Sequence, residues 1–391
     1  MLESIEALSG SGTSFPIHGR CDPRFRPVLD AFRANFEARQ DILECGASVA
    51  LVVDGLLVVD LWGGWQDAAC LRPWREDTIV NMMSVGKAVA AVAVHMLADE
   101  RLLDLDAPVA RYWPSFGQAG KDAVPLRYVL DHRAGLPVVT ASLPRGSYYD
   151  WDTMAGALAA QAPLWIPGEA AGYHILTQGF ILGEVVARAS GMPFAAFVRE
   201  RITGPLGLDY HFGLDGAAQA RCATFLQATE GTIFAAPPDT LLGQAWAQLN
   251  VGEDFNSLGW RSLPNSSAHG HGNARAVARF FGALARGGEV DGVRLLSGDA
   301  MRRMTAIQHT MTEQVMGRTY NQALGLLRNS PHIIWMGPNR NAFGHHGVGG
   351  SLGMADPDAR LGFSYAMNQM HARYDNGPRA RRLIEAAYAC L

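Results

Sequence analysis

The chain has 391 residues, of which 48% are hydrophobic, 9% aromatic and 18% charged. Such a composition can bury a large core and excludes a disordered chain. The formal net charge of −4 offers no basic field for nucleic acid or for an anionic membrane surface.

The opening residues, MLESIEALSGSG, have no positively charged start and no apolar stretch. No secretory signal is read there, and a reducing, cytoplasmic setting is expected. Asp22 to Gln40 spaces its apolar residues at helical intervals and predicts an amphipathic helix. In ASVALVVDGLLVVDLWGGW, two β-branched runs flank Asp54-Gly55, which predicts a hairpin with a tight turn. The apolar run after Ser84 predicts a helix of about four turns, buried on most faces. Between residues 100 and 300 helices dominate: TMAGALAAQAPLW, ILTQGFILGEVVARASG and NARAVARFFGALARGG carry helical periodicity and stop at Pro or Gly. A short hairpin, EVDGVRLL, sits in the same stretch. GGSLGMADPDARLGFSYAMNQM reads as strand–turn–strand, and PRARRLIEAAYAC as a closing amphipathic helix.

Strands at both ends and helices between them predict one sheet built from the two termini. Residues 1–80 and 325–391 would form a discontinuous α/β part and residues 81–324 a mainly helical part, with the functional site at their junction. No apolar run is long and unbroken enough to predict a membrane span. The five cysteines (Cys21, Cys45, Cys70, Cys222 and Cys390) are scattered and odd in number, without a Cys-x-x-Cys pair. That pattern argues against a zinc ribbon or a disulfide framework.

Only two of the 33 basic residues are lysines, Lys87 and Lys121. Lys87 follows Ser84 by three positions, which places the two on one face of the predicted helix. A serine hydroxyl needs a base to become a nucleophile. An amine in apolar surroundings can supply one, because burial lowers its pKa. The positive end of the helix favours a developing oxyanion. By itself, a Ser-x-x-Lys spacing arises by chance in roughly one such chain in ten, so it does not decide the matter.

Two further stretches bear on it: PGEAAGYHILTQGFILGE, Pro167 to Glu184, and AFGHHGVGGSLGMADP, Ala342 to Pro357. With Ser84-Val85-Gly86-Lys87 they resemble the three active-site motifs of the serine β-lactamase and penicillin-binding-protein superfamily. Within it, the likeness is to the β-lactamase-like esterases termed family VIII carboxylesterases. LLDLDAPVARYWP and VLDHRAGLP support the resemblance, which runs from about residue 20 to the end of the chain.

The resemblance implies an α+β fold of the β-lactamase/transpeptidase kind: an antiparallel sheet from both termini, flanked by helices, plus a mainly helical domain. It implies Ser84 as nucleophile, Lys87 as base and Tyr173 as the phenol that shares the proton with the lysine. Which of the two holds the proton stays open, because they would titrate as a coupled pair. The same tyrosine can protonate the leaving alcohol. His345-His346-Gly347 matches the third motif and implies substrate binding. Val348 would give its N–H to an oxyanion hole together with that of Ser84. No metal and no organic cofactor is implied.

Two positions depart from the pattern of true β-lactamases. Ile175 stands where asparagine is usual, and His345 where lysine is usual. Both changes favour a neutral ester over a lactam or a peptide. His345 could hydrogen-bond Tyr173 or simply pack at a strand end. The expected activity is hydrolysis of small-molecule carboxylic esters through an acyl-enzyme. Acyl transfer, amide hydrolysis, weak β-lactam hydrolysis and a catalytically silent binding protein are the alternatives. No nucleic-acid or membrane partner is expected, and the oligomeric state is not legible.

Other signals compete. Gly349-Gly350-Ser351-Leu352-Gly353 fits the nucleophile elbow of another hydrolase class, but that elbow needs a helix after it, and the following residues read as strand–turn–strand. His269 and His271, with His345 and His346, could be imagined as metal ligands; lacking a helical His-x-x-x-His or a carboxylate cluster, a loop or cap role is expected instead. Asp131 to Pro137 reads as a helix end capped by Gly135 and stopped by Pro137, hence scaffold. Tyr148, Tyr149, Trp151, Trp165, Trp246 and Trp260 could line a pocket or belong to the core.

Overall fold

A computed structural model describes residues 2–5, 15–37, 43–232, 234–247, 249 and 254–391. Most of the opening stretch and the expected helix end at Gln40 lie outside the described residues.

The first part of the chain forms strands β1 (Glu3–Ile5) and β2 (Ile17–Cys21), helix α1 (Arg26–Glu37), and strands β3 (Gly46–Val53) and β4 (Leu56–Gly64). The middle begins with β5 (Val80–Asn81), α2 (Gly86–Asp99), α3 (Leu126–Leu130), α4 (Trp151–Ala160), α5 (Gln178–Ser190) and α6 (Phe194–Val198). It continues with β6 (Tyr210–Phe212), α7 (Gly216–Ala220), α8 (Leu241–Trp246), α9 (Leu258–Ser262) and β7 (Gly270–Gly272). Then come α10 (Ala274–Ala285), β8 (Glu289–Val290), β9 (Val293–Arg294) and α11 (Gly298–Thr305). The last part is β10 (Asn321–Gln322), β11 (Leu327–Arg328), β12 (Phe343–His346), β13 (Leu352–Asp356), β14 (Leu361–Met367) and α12 (Gly377–Tyr388).

Nine strands make one antiparallel sheet in the order β1-β2-β4-β3-β14-β13-β12-β11-β10. β3 and β14 join the two ends of the chain, with Tyr365 opposite Val49. The turn between β3 and β4 has φ of 52° at Asp54 and 84° at Gly55. That pair of values is the turn whose twist matches a two-residue hairpin. Asp291 and Gly292 repeat it between β8 and β9, at 51° and 77°.

Helix α10 lies within the span 81–324 yet packs across β3, β13 and β14. α1 packs along α12 and also meets β2 and β4. A fully buried ion pair helps hold that end: Arg379 Nη1 donates to Glu44 Oε1 at 2.9 Å, and the Tyr365 hydroxyl donates to the same carboxylate. Removing either partner of such a pair leaves an uncompensated charge, at about 3–5 kcal/mol.

α2 is buried from Gly86 to Leu97 and packs against α5 and α11. Its Ala and Val side chains are small enough to be enclosed on all sides, as the unbroken apolar run predicts. A second, three-stranded sheet, β5-β7-β6, interrupts the helical middle, and its strand β5 ends three residues before Ser84. Among the described residues, no single helix is long and apolar enough to cross a membrane.

Candidate active site

Strand β5 delivers Ser84 to the start of α2. Met83, just before it, sits in the left-handed region at φ 48°. Such backbone is costly for a residue with a Cβ and persists only where its surroundings enforce it. Here Asn81 Oδ1 accepts the Met83 N–H at 3.2 Å, and the Asn81 amide donates to Ala268 O at 2.9 Å. Gly86 is fitted as closely: a Cβ there would stand 2.6 Å from the Ser266 carbonyl oxygen.

Lys87, one turn on, is 1% exposed, and its Nζ lies 3.3 Å from Ser84 Oγ. The amine also donates to the backbone carbonyls of Ile175 at 2.8 Å and Ser267 at 2.7 Å. Among the described residues no carboxylate pairs with it. Burial therefore holds its pKa well below the ordinary lysine value. The loops carrying the two carbonyls are tied together by buried Asn265, which donates to Leu176 O at 3.0 Å and accepts the Ser267 N–H at 2.8 Å. Lys121 is buried as well, but its amine donates to the carbonyls of Gln118, Ala159 and Gln161, away from any nucleophile.

Tyr173 enters from the segment before α5. The expected helix start near Ile175 is displaced to Gln178. An Ile175 N–H to Tyr173 carbonyl bond of 2.9 Å turns the chain there and directs Ile175 O at Lys87. The Lys87 amine stands 4.8 Å from the centre of the Tyr173 ring. Burial pushes the phenol up from its ordinary pKa; the nearby Ser84 hydroxyl tempers the rise, while Tyr320 and Glu313 add to it.

His345, on β12, is 2% exposed and faces Tyr173 from behind, with Nε2 3.5 Å from the hydroxyl. Its Nδ1 lies 2.7 Å from the His346 carbonyl, which can only accept, so Nδ1 carries the proton. Burial, with His346 and Lys87 nearby, holds the ring well below its ordinary pKa and hence neutral. Nε2 is then an acceptor for the phenol. His132 packs edge-on to Tyr173, ring centres 4.7 Å apart.

A cleft lined by Ser84, Tyr173, His346 and Val348 opens over these groups. Ile175, Leu242, Trp246, Met316, Tyr320 and Leu327 supply mostly apolar walls, with Arg373 and Tyr374 also lining it. Arg373 is paired with Asp375 at 3.0 Å. The N–H groups of Ser84 and Val348 take no partner among the described residues. Gly347 permits the close passage of this strand: a Cβ on it would lie 2.4 Å from Met82 O and 2.2 Å from Ser351 Oγ.

The structure thus brings Ser84, Lys87, Tyr173, His346 and Val348 to one cleft or its base. Of the expected substrate-binding trio, only His346 lines the cleft. His345 lies behind Tyr173, its ring stacked beside that of His346 with centres 5.9 Å apart, and Gly347 lies against Met82 O. Of the six aromatics, only Trp246 lines it. Tyr148 and Trp260 are core instead, packed on His269, whose Nε2 lies 2.8 Å from the Tyr148 hydroxyl and whose Nδ1 lies 2.8 Å from Trp260 O. Among the described residues no cluster of three or more His, Cys, Asp or Glu could hold a metal ion.

The expected scaffold at Asp131 to Pro137 also differs. Helix α3 ends at Leu130, and His132, at φ 65°, turns toward Tyr173. Gly135 lies beyond the helix end rather than capping it. Ser351 precedes strand β13, not a helix, and donates to Met82 O at 2.9 Å. Sequence reasoning missed Met316, Tyr320, Tyr374, His132, Asn265 and Glu313. His132 lies in VLDHRAGLP, which reads as scaffold; the others lie in irregular segments with neither periodicity nor a motif to mark them.

Fold and site together define a β-lactamase/transpeptidase-like protein, with an antiparallel sheet and helices meeting at a serine–lysine pair. The chain belongs to the Beta-lactamase family, whose model matches residues 32–387. It is similar to the esterase/beta-lactamase LipL of Mycobacterium tuberculosis, at 31% identity over 94% of this chain and 86% of that one. It superimposes on the crystal structure of a family VIII carboxylesterase with a TM-score of 0.89 and 40% identity, covering 96% of this chain and all of the other. A penicillin-binding protein homologue from Caulobacter crescentus gives a TM-score of 0.89 at 37% identity, with 96% of this chain and 100% of that chain covered.

Proposed function

We propose that the protein is a carboxylesterase-type serine hydrolase that cleaves small carboxylic esters through an acyl-enzyme on Ser84. The observation that carries the reading is the environment of Lys87: an enclosed amine, 3.3 Å from a serine hydroxyl, with two carbonyls as its other partners. A neutral amine has two N–H bonds. Given to Ile175 O and Ser267 O, they leave the lone pair for the Ser84 proton. Burial disfavours charge on both Lys87 and Tyr173, so the resting pair is neutral amine and neutral phenol.

Ser84 Oγ attacks the ester carbonyl carbon and its proton passes to Lys87 Nζ. The carbonyl π electrons move onto oxygen, and the oxyanion is held by the N–H groups of Ser84 and Val348. As the carbon–alkoxide bond breaks, the alkoxide takes the Tyr173 proton, and the Lys87 ammonium returns one to the phenolate. Alcohol and acyl-enzyme result, with both groups neutral again. A water then attacks the acyl carbon and loses its proton to the same pair, and that proton restores the Ser84 hydroxyl as the acid departs.

An ester is favoured over a lactam by the cleft. Ile175 presents an alkyl group to the cleft where an asparagine would offer an amide to bind an amide. The relatives named as esterases support the same substrate class. The deciding experiment compares para-nitrophenyl butyrate with a chromogenic cephalosporin, in the wild type and Ser84→Ala. Ester turnover that vanishes in the variant supports the proposal. Faster turnover of the cephalosporin than of the ester, or unchanged ester turnover in the variant, overturns it.

A further inference from the structure

Glu313 sits in the loop between α11 and β10 and is 4% exposed. Four backbone N–H groups converge on its carboxylate. Oε2 accepts from Tyr173 at 2.9 Å and from Val315 at 2.9 Å; Oε1 accepts from Met316 at 2.7 Å and from Arg318 at 3.3 Å. Among the described residues no cation pairs with it. A buried carboxylate survives without a counter-ion only where donors replace its water, and charge-assisted bonds of this kind are roughly twice as strong as neutral ones.

The loop is closed on itself and fastened to the Tyr173 segment. The Thr312 and Thr319 hydroxyls meet at 2.7 Å across its neck, and the Gln314 N–H donates to Ala171 O at 2.9 Å. One residue of the loop, Met316, forms part of the cleft wall. A single oxygen, Glu313 Oε2, therefore joins the backbone of Tyr173 to the backbone that carries this wall.

The geometry points to Glu313 as a positioning residue that sets the placement of Tyr173 and of the Met316 wall together, so that proton transfer and the fit of the substrate's apolar arm depend on one carboxylate. The inference rests on the proposed esterase reading. It separates two properties that substitutions can split. Glutamine keeps the shape but replaces two acceptor positions with donors and removes the charge. Aspartate keeps the charge but falls short of the four N–H groups.

The charge is read through Tyr173. Around the phenol stand Lys87 of α2, His132 after α3, His345 of β12, and Tyr320 and Glu313 of the segment before β10. Of these, Glu313 is the acid, and it raises the tyrosine. Loss of its charge removes one of the influences that hold the phenol protonated, burial being the largest.

The test compares wild type, Glu313→Gln and Glu313→Asp on para-nitrophenyl acetate and para-nitrophenyl octanoate. In Glu313→Gln, kcat is expected to fall by about 10- to 100-fold, in the range of a lost acid–base alignment. Its KM is expected to rise for the octanoate more than for the acetate. In Glu313→Asp, the ratio of the two KM values is expected to change in the same direction. A Glu313→Gln protein matching the wild type in kcat and chain-length dependence overturns the inference. So does an activity loss equal for both esters and explained by the folded fraction in a thermal melt. If the glutamine variant does not fold, the aspartate variant decides: an unchanged ratio of the two KM values overturns the inference. A wild type without Ser84-dependent ester turnover overturns the esterase reading instead.

Discussion

Lys87 Nζ lies 3.3 Å from Ser84 Oγ in surroundings that supply carbonyls but, among the described residues, no carboxylate. An acid partner would hold the amine as ammonium. Its absence, together with burial, favours the neutral form.

The pH dependence follows with a definite sign. In the proposed mechanism the neutral amine is the working form, so kcat/KM should fall about tenfold per pH unit below the lowered pKa of Lys87. The stability effect has the opposite cause but the same direction. Between the lowered folded value and the ordinary lysine value of about 10.4, the unfolded chain binds a proton that the folded chain does not, so stability rises with pH. Lys87→Met removes this slope. Urea melts of wild type and Lys87→Met from neutral to alkaline pH should show the wild type gaining on the variant as pH rises, levelling off near the top of that window. A constant difference across the range speaks against a neutral buried amine.

Ser351 and Ser84 are distinguished by substitution. Ser351→Ala loses the hydrogen bond to Met82 O, worth about 1 kcal/mol, with the carbonyl left buried. It should keep its labelling by a serine-directed phosphonate and most of its turnover. Ser84→Ala should lose both, with turnover down on the order of 10⁴-fold or more. Mass spectrometry of the labelled proteins checks this; a label that depends on Ser351 would reassign the nucleophile.

Ile175 contributes a side chain to the cleft and a carbonyl to Lys87. Ile175→Asn leaves the carbonyl and removes apolar surface, a loss of about 1–2 kcal/mol for a substrate that covers it. Steady-state kinetics should show KM for a long-chain ester rising roughly tenfold, with kcat on an acetate ester nearly unchanged. A collapse of kcat on the acetate would mean that the backbone had moved.

His345→Lys places the family's usual lysine behind Tyr173, near Lys87 and outside the cleft lining. The added buried amine should lower stability by roughly 2–4 kcal/mol, seen as a lower urea midpoint. Cephalosporin turnover should stay at background. Its appearance would show that the position reaches bound substrate after all.

Several parts were legible because they depend on neighbours in the chain. The β3–β4 turn follows from Asp54-Gly55, the buried α2 from its run of Ala and Val, and the Ser84–Lys87 approach from a spacing of one helical turn. The family's second and third motifs, once recognised, pointed to Tyr173 and His345, but not to where their side chains would face. Local patterns misplaced the ends of α3 and α5, where a bond from Ile175 to Tyr173 and a left-handed His132 override helical propensity.

By itself, then, the amino-acid order determined the main helices, the β3–β4 and β13–β14 hairpins and the serine with its adjacent amine, since each is encoded in periodicity or in spacing within a turn. Only tertiary packing decided that Tyr173 and His345, 172 positions apart, meet behind the serine, that His346 alone of its motif faces the cleft, and that Glu313 gathers four N–H groups beneath it. These contacts join irregular segments whose mutual distance is set by how the buried core closes. No repeating pattern in the chain records that distance.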